Sequence, residues 1–372
     1  MGAVGWIAGV GGLLVVFFIA QMIYLSTVLT WEHEQTRGLG YYGKPPAERE
    51  QFRATLRRHA RLLYPILRLL GRFSNFTFDK ASFRYQNLAG PRGTCSEASF
   101  AAGHAYTPRP EDIFVVTQMK CGTTWMQHVV YETLHRGDGN LVEAGSTLYA
   151  VSPWLESEKS VSMADAPLLG RERPSRVIKT HFPVSLCPYD ASARYIYVAR
   201  HPVSCFASCA DFVATNASAM APEREVVEQW FCSNAMWWGS WPAHVRGWFE
   251  RAETDANVLF VHFETMRHDL PSVVRQVAAF LGLRPLTDGE VGQIAHKCGF
   301  AYMQENGNTF EMNPPHLLQT DAELFVRGTA DRHGDVPAEM RERILAWCVA
   351  EMDRDGLPLE RIYRDGNPAP VI

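Results

Sequence analysis

The first 31 residues contain no Asp, Glu, Lys or Arg, and Glu32 is the first charged side chain. An uncharged apolar stretch of that length is sufficient to cross a hydrocarbon core of about 30 Å, so residues 4–29 are expected to form one transmembrane helix. A cleavable signal peptide fits less well, because the positive n-region is missing and the apolar stretch is too long. A buried core helix ranks well below an anchor. The chain also lacks a basic excess: its net charge of -4 and pI near 6.4 argue against nucleic acid as its main partner. Its eight cysteines, Cys95, Cys121, Cys187, Cys205, Cys209, Cys232, Cys298 and Cys348, lack paired CxxC spacing, and no metal is expected. There is no internal repeat and no low-complexity segment. The phosphate-loop order GxxxxGK[ST] is missing as well.

With 372 residues, 47% of them hydrophobic, the chain has enough material for one large domain or two small ones. Positive charge follows the apolar span at Arg37, Lys44, Arg49, Arg53, Arg57, Arg58, Arg61, Arg68 and Arg72, and none precedes it. The positive-inside rule therefore puts the body on the cytoplasmic side, where reduced cysteines fit. Two sequons, at Asn75 and Asn216, keep a lumenal, Golgi-type alternative open.

Residues 47–72 place Phe52, Leu56, Leu63 and Leu67 among arginines at near-helical spacing, with a kink expected at Pro65. Such a helix lies on an anionic leaflet or packs its apolar side on the domain. Residues 73–110 read as irregular. The runs EDIFVVT (111–117), SRVIKT (175–180), RYIYVAR (194–200) and NVLFVHF (257–263) then alternate with helical stretches, which predicts an α/β fold with a mostly parallel central sheet flanked by helices.

The chemistry gathers after those strands. The first is followed by TQMKCGTTWMQ (117–127): Gly122 lets backbone approach an anion, Thr123 and Thr124 open a helix whose free N–H groups attract one, and Lys120 adds a charge. The second strand runs into Lys179 and His181 in KTHFP, and the third into Arg200 in ARHPVSCFAS. Strand ends of this kind converge where open α/β sheets bind ligands.

KCGTTW, KTHFP, the spacing of Arg200 to Ser208 and a late FVRG…GD together resemble the cytosolic-type sulfotransferases that use 3′-phosphoadenosine 5′-phosphosulfate (PAPS), over roughly residues 108–336. The resemblance implies a three-layer, P-loop-like fold. It also implies that Lys120, Cys121, Gly122, Thr123 and Thr124 hold the 5′-phosphosulfate. Cys121 stands where Ser is common, and there a backbone N–H is the needed donor. By the same resemblance Trp125, Trp238 (in WGSW) and Phe300 face the adenine. Arg200, Ser208, Arg327 and Gly328 take the 3′-phosphate, and Arg332 could replace Arg327 because the last loop departs from the family's spacing. His181 becomes the general base, Lys120 stabilises the leaving oxygen and Lys179 the transferring group, with no metal required.

The resulting expectation is a membrane-anchored sulfotransferase acting on a hydroxyl, or less readily an amine, of a small hydrophobic or lipid-like acceptor. Its segments would be an anchor (1–31), a basic lead-in (32–107) and a catalytic domain (108–372). Acceptor contacts fall in 137–172 and 302–325, where Trp154, Phe310 and Phe325 could line a pocket. A small-molecule kinase and a catalytically silent membrane scaffold are the rivals. The family's dimer segment is not recognisable, which leaves the oligomeric state open.

Overall fold

The computed structural model describes residues 2–73, 77–217, 220–317, 332–364 and 367–368. In chain order it comprises α1 (Gly2–Thr36), α2 (Pro46–Phe73), β1 (Ser82–Tyr85), β2 (Leu88–Pro91), α3 (Glu97–His104), β3 (Asp112–Val116), α4 (Thr123–Leu134), β4 (Arg176–Thr180), β5 (Arg194–Ala199), α5 (Pro202–Ala217), α6 (Arg224–Phe231), α7 (Trp241–Thr254), β6 (Val258–His262), α8 (Phe263–His268), α9 (Leu270–Phe280), α10 (Asp288–Lys297), α11 (Phe300–Glu305) and α12 (Ala338–Arg354).

The central sheet has the order β4-β3-β5-β6 and is parallel throughout, with Ile113 opposite Val177 on one side and Arg194 on the other. Every residue of β3 and β4 is buried, as strands covered on both faces require. From β3 the chain steps outward to β4, returns across β3 to β5, and steps the other way to β6. Right-handed crossovers in opposite directions place α4 and the α5–α7 group on opposite faces. The carboxyl ends of β3 and β5 therefore flank a topological switch point.

Residues 73–110, read as irregular, contain the β1–β2 hairpin and α3. Each strand is only four residues long, and the connecting turn uses Gln86 and Asn87, both at positive φ, a weaker sequence signal than Asn-Gly. A capping box between Ser96 and Ser99 starts α3. Helix α2 continues through Pro65.

The end of α1 is bound into the body. Leu25, Val28 and Thr36 are buried, and Glu32 Oε2 accepts the Leu317 N–H at 2.9 Å. Further toward the N-terminus α1 exposes Leu13, Val15, Phe17 and Ile23. Gly11–Thr36 is long and apolar enough to cross a membrane.

Candidate active site

The loop after β3 is built to present donors. Lys120 adopts a left-handed backbone (φ 65°) and Gly122 follows at φ 99° as N-cap of α4, with no side chain capping the helix. Its first N–H groups are thus left for another acceptor. A Cβ on Gly122 would meet Phe263 Cδ2 at 2.7 Å, so glycine is required both for φ and for the ring beneath it. Thr123 Oγ1 lies 2.6 Å from Thr117 Oγ1, and Thr124 Oγ1 lies 3.1 Å from Tyr149 Oη. The Cys121 thiol turns into the core, 3.6 Å from Cys205 Sγ.

Strand β5 delivers Arg200 to the same place: its Nη1 donates to the Lys120 carbonyl at 3.2 Å and its Cζ lies 4.3 Å from the Phe263 ring centroid. Nearly two turns into α5, Ser208 faces the same space.

Strand β4 delivers His181, which is held at three points. Its N–H donates to Glu156 Oε1 at 2.7 Å, its carbonyl lies 2.9 Å from His244 Nε2, and its Nδ1 lies 2.9 Å from the Thr117 carbonyl. A carbonyl only accepts, so Nδ1 carries the proton and Nε2 keeps its lone pair. Burial, with the Lys179 ammonium adding repulsion, holds the imidazole well below its usual pKa, so it is neutral.

Lys120, Gly122, Thr123, Thr124, Trp125, His181, Arg200, Ser208, Trp238 and Phe300 all line one cavity of about 1010 Å³. That is at or beyond the top of the ~300–1,000 Å³ range for single-ligand pockets and leaves room for two ligands side by side. Burial pushes the half-buried Lys120 down to about 8. Lys179 does not reach the wall. It is fully buried, its Nζ lies 3.3 Å from the Trp154 ring centroid, and it donates to Tyr149 Oη at 3.2 Å. Burial lowers its pKa too, with Glu156 opposing.

The aromatics divide into two groups. Trp125 donates to the Cys298 carbonyl at 2.8 Å and meets Phe263 edge-on at 5.3 Å; both rings stand at the Lys120–Arg200 end. Trp238, expected beside Trp125 at an adenine, instead stands by His181. Their ring centroids are 4.7 Å apart, and Trp154 completes a triangle with them, 6.3 Å from Trp238 and 5.5 Å from His181. The cause is its turn. Trp238 sits at φ 61° before Gly239 at φ 93°, its N–H donates to the Ala89 carbonyl at 2.8 Å, and Gln118 Nε2 bonds the Trp237 carbonyl at 3.1 Å and the Gly239 carbonyl at 2.5 Å.

Arg327, Gly328 and Phe325 lie outside the described residues. Arg332 reaches the cavity near α5: its N–H donates to Ser204 Oγ, and its guanidinium pairs with Asp211 at 2.7 Å and Asp335 at 2.8 Å. Phe310 is buried against His128 and does not line the cavity, whereas Trp154 does. Asn216 also lines it, with its amide bonded to Phe212 and His316. Among the described residues, no three His, Cys, Asp or Glu side chains gather as metal ligands do.

Sequence reading missed Phe263 and Arg267, which line the cavity from α8. Their signal was the VHFETMR stretch, an aromatic and an arginine directly after a strand. It missed Thr117, Glu156 and His244 as well, which orient His181 through contacts that no motif encodes, Thr117 with both its carbonyl and its Oγ1.

A model of the sulfotransferase domain matches residues 110–356. Sulfotransferase 2B1 of Mus musculus is 29% identical over 261 residues, covering 68% of this chain and 74% of that one. Sulfotransferase 2A1 of Homo sapiens is 26% identical over 290 residues, covering 74% and 98%. Among solved structures, mouse sulfotransferase SULT7A1 complexed with PAP superposes with a TM-score of 0.58 at 23% identity, over 74% of this chain and 95% of that one. Retinol dehydratase with androsterone and inactive cofactor PAP gives 0.59 at 19%, over 75% and 93%. With the family model spanning well over half of its residues, the chain belongs to the sulfotransferase family.

Proposed function

We propose that this sulfotransferase moves a sulfuryl group from PAPS to a hydroxyl of a small hydrophobic acceptor, with His181 as general base. The observation that carries the reading is the convergence of a neutral imidazole, Lys120, the uncapped start of α4, Arg200 and Ser208 on one cavity. PAP in two fold neighbours and hydroxysteroid-directed relatives support it. The donor set suits the nucleotide. Lys120, Thr123, Thr124 and the backbone at Cys121 and Gly122 hold the phosphosulfate, Arg200 and Ser208 the 3′-phosphate, and Trp125, Phe263 and Phe300 the adenine. Arg332 can share the 3′-phosphate role; Arg327 and Gly328 remain proposed there. Trp238 and Trp154 form the acceptor wall.

The nucleotide supplies the activated sulfuryl group. The acceptor O–H bond breaks and its proton passes to His181 Nε2. The acceptor oxygen forms the new O–S bond as the S–O bond to the 5′-phosphate breaks, and that electron pair stays on the phosphate oxygen, where Lys120 offsets the growing charge. A polyanion bound nearby raises the His181 pKa from its depressed value and makes it a stronger base at the moment it is needed. Lys179, behind Trp154, contributes its field and steadies Tyr149. The segments follow the same reading: α1 anchors the protein in a membrane, 32–107 form the lead-in, and 108–372 the catalytic domain. A bound α1 end, buried at Leu25, Val28 and Thr36, favours a retained anchor over a cleaved signal.

The test is His181→Ala with labelled PAPS. Transfer falls at least ~100-fold, within the range for removing a general base, while PAP still binds. Unchanged sulfation removes His181 from the role.

A further inference from the structure

The cavity is lined by the two N-terminal helices as well as by Trp154 and Trp238. Its far rim is made by Leu29, Glu32 and Thr36 of α1 and Leu56, Arg57 and Ala60 of α2. All six precede the segment shared with the family model, residues 110–356. The two helices run antiparallel, since Tyr24 Oη lies 2.7 Å from His59 Nδ1 and Trp31 meets Phe52 at 5.1 Å.

The same helices leave the body together. α1 carries an 18-residue window of mean hydropathy 2.2, of which 6% is buried. Beside it, α2 exposes Leu62, Tyr64 and Leu69. At 1.5 Å per residue, the exposed Ile23 and the mouth residue Glu32 are about 13 Å apart along α1. Leu29 is both 45% exposed and part of the rim. Tyr24 and Trp31 occupy the intervening level opposite His59 and Phe52, which sets Arg57 and Arg53 of α2 alongside it and Ala60 near the level of Ile23, with Glu32 at its far end. The exposed apolar face of α1 thus gives way over one stretch to aromatic and charged side chains, as at a boundary between hydrocarbon and headgroups.

We propose that the acceptor is a membrane-resident monohydroxy amphiphile that enters over the rim formed by α1 and α2, hydroxyl end first, and reaches His181 without passing through bulk water. This rests on the sulfotransferase reading and names its substrate class. An amphiphile at rest in a leaflet already holds its hydroxyl at the interface, so the reacting end leads. Desorption into water would reduce its availability about fourfold for each methylene exposed. A mouth at the interface avoids that loss, and the apolar body stays against lipid or the α1–α2 wall throughout.

The full chain in phosphatidylcholine vesicles with labelled PAPS tests this, using a 3β-hydroxysterol dissolved in the bilayer and a water-soluble nitrophenol. Ala60→Trp puts an indole into the mouth without touching the residues assigned to catalysis or nucleotide. It should slow transfer to the sterol at least tenfold and leave the nitrophenol rate within twofold. If both rates fall together, if neither changes, or if the wild type uses nitrophenol but never the sterol, the route is overturned. A photoreactive sterol in the same vesicles gives a second readout on the wild type, independent of turnover. Labels in residues 29–36 and 53–60 support the mouth, and labels confined to residues 13–20 overturn it. A wild type inactive on both acceptors refutes the sulfotransferase reading, while the label pattern still decides the route.

Discussion

Phe263 and Trp238 offer the sharpest test of how the cavity is divided. In Phe263→Ala the lost ring is the one that meets Trp125 edge-on at 5.3 Å, lies 4.3 Å under the Arg200 guanidinium carbon and supports the start of α4 at Gly122. The aromatic pair contributes about 0.5–1.5 kcal/mol, and the cation–π contact about 0.5–2 kcal/mol at a partly desolvated site. A midrange sum near 2 kcal/mol, converted at about 1.4 kcal/mol per decade, predicts roughly 30-fold weaker PAP binding. The loss arises because Arg200 and Trp125 are no longer held for the ligand. Titration of PAP by calorimetry measures it directly. The companion variant Trp238→Ala leaves PAP affinity within about threefold and raises the acceptor KM. The reverse pattern, with PAP binding lost in Trp238→Ala and kept in Phe263→Ala, would refute the assignment and return the WGSW tryptophan to the adenine.

Further outcomes follow from the charges. Lys120 is protonated below a pKa of about 8 and neutral above it, so nucleotide affinity and kcat/KM decline as pH rises through 8. Lys120→Arg, which stays charged, removes that decline in PAP binding up to pH 9, as a pH series of titrations would read. Arg332→Ala releases the Asp211 carboxylate, now 2.7 Å from the guanidinium, toward the anion site. PAP binding weakens about tenfold at low salt and less at 0.5 M salt, where the repulsion is screened. Cys121→Ser keeps the backbone donor and changes PAP affinity by less than about threefold; a larger loss would show that the thiol contact with Cys205 sets the loop.

The parallel sheet was legible because its strands are short apolar runs, each buried on both faces, and three of them end in basic or hydroxyl residues. Lys120, His181 and Arg200 were legible because each directly follows a strand, so local order fixes their position. Trp238 was not. Its ring direction depends on a positive φ and on bonds from Gln118 and Ala89, residues 120 and 149 positions earlier in the chain, a nonlocal constraint absent from the WGSW motif. Lys179 shows the same limit in another form. Strand periodicity placed its backbone, while the packing of Trp154 and Tyr149 decided where the ammonium went. The hairpin after residue 80 escaped notice because four-residue strands carry too little alternation to register.

Gln118 stands at the base of the nucleotide loop, yet its side chain bonds the carbonyls on either side of Trp238. The two substrates therefore share a hinge pin. A ligand that settles the loop also settles the tryptophan, and an acceptor resting on the tryptophan acts back on the loop. Linkage makes that influence equal in both directions for binding, so one glutamine's two hydrogen bonds tie the affinity for either substrate to the presence of the other.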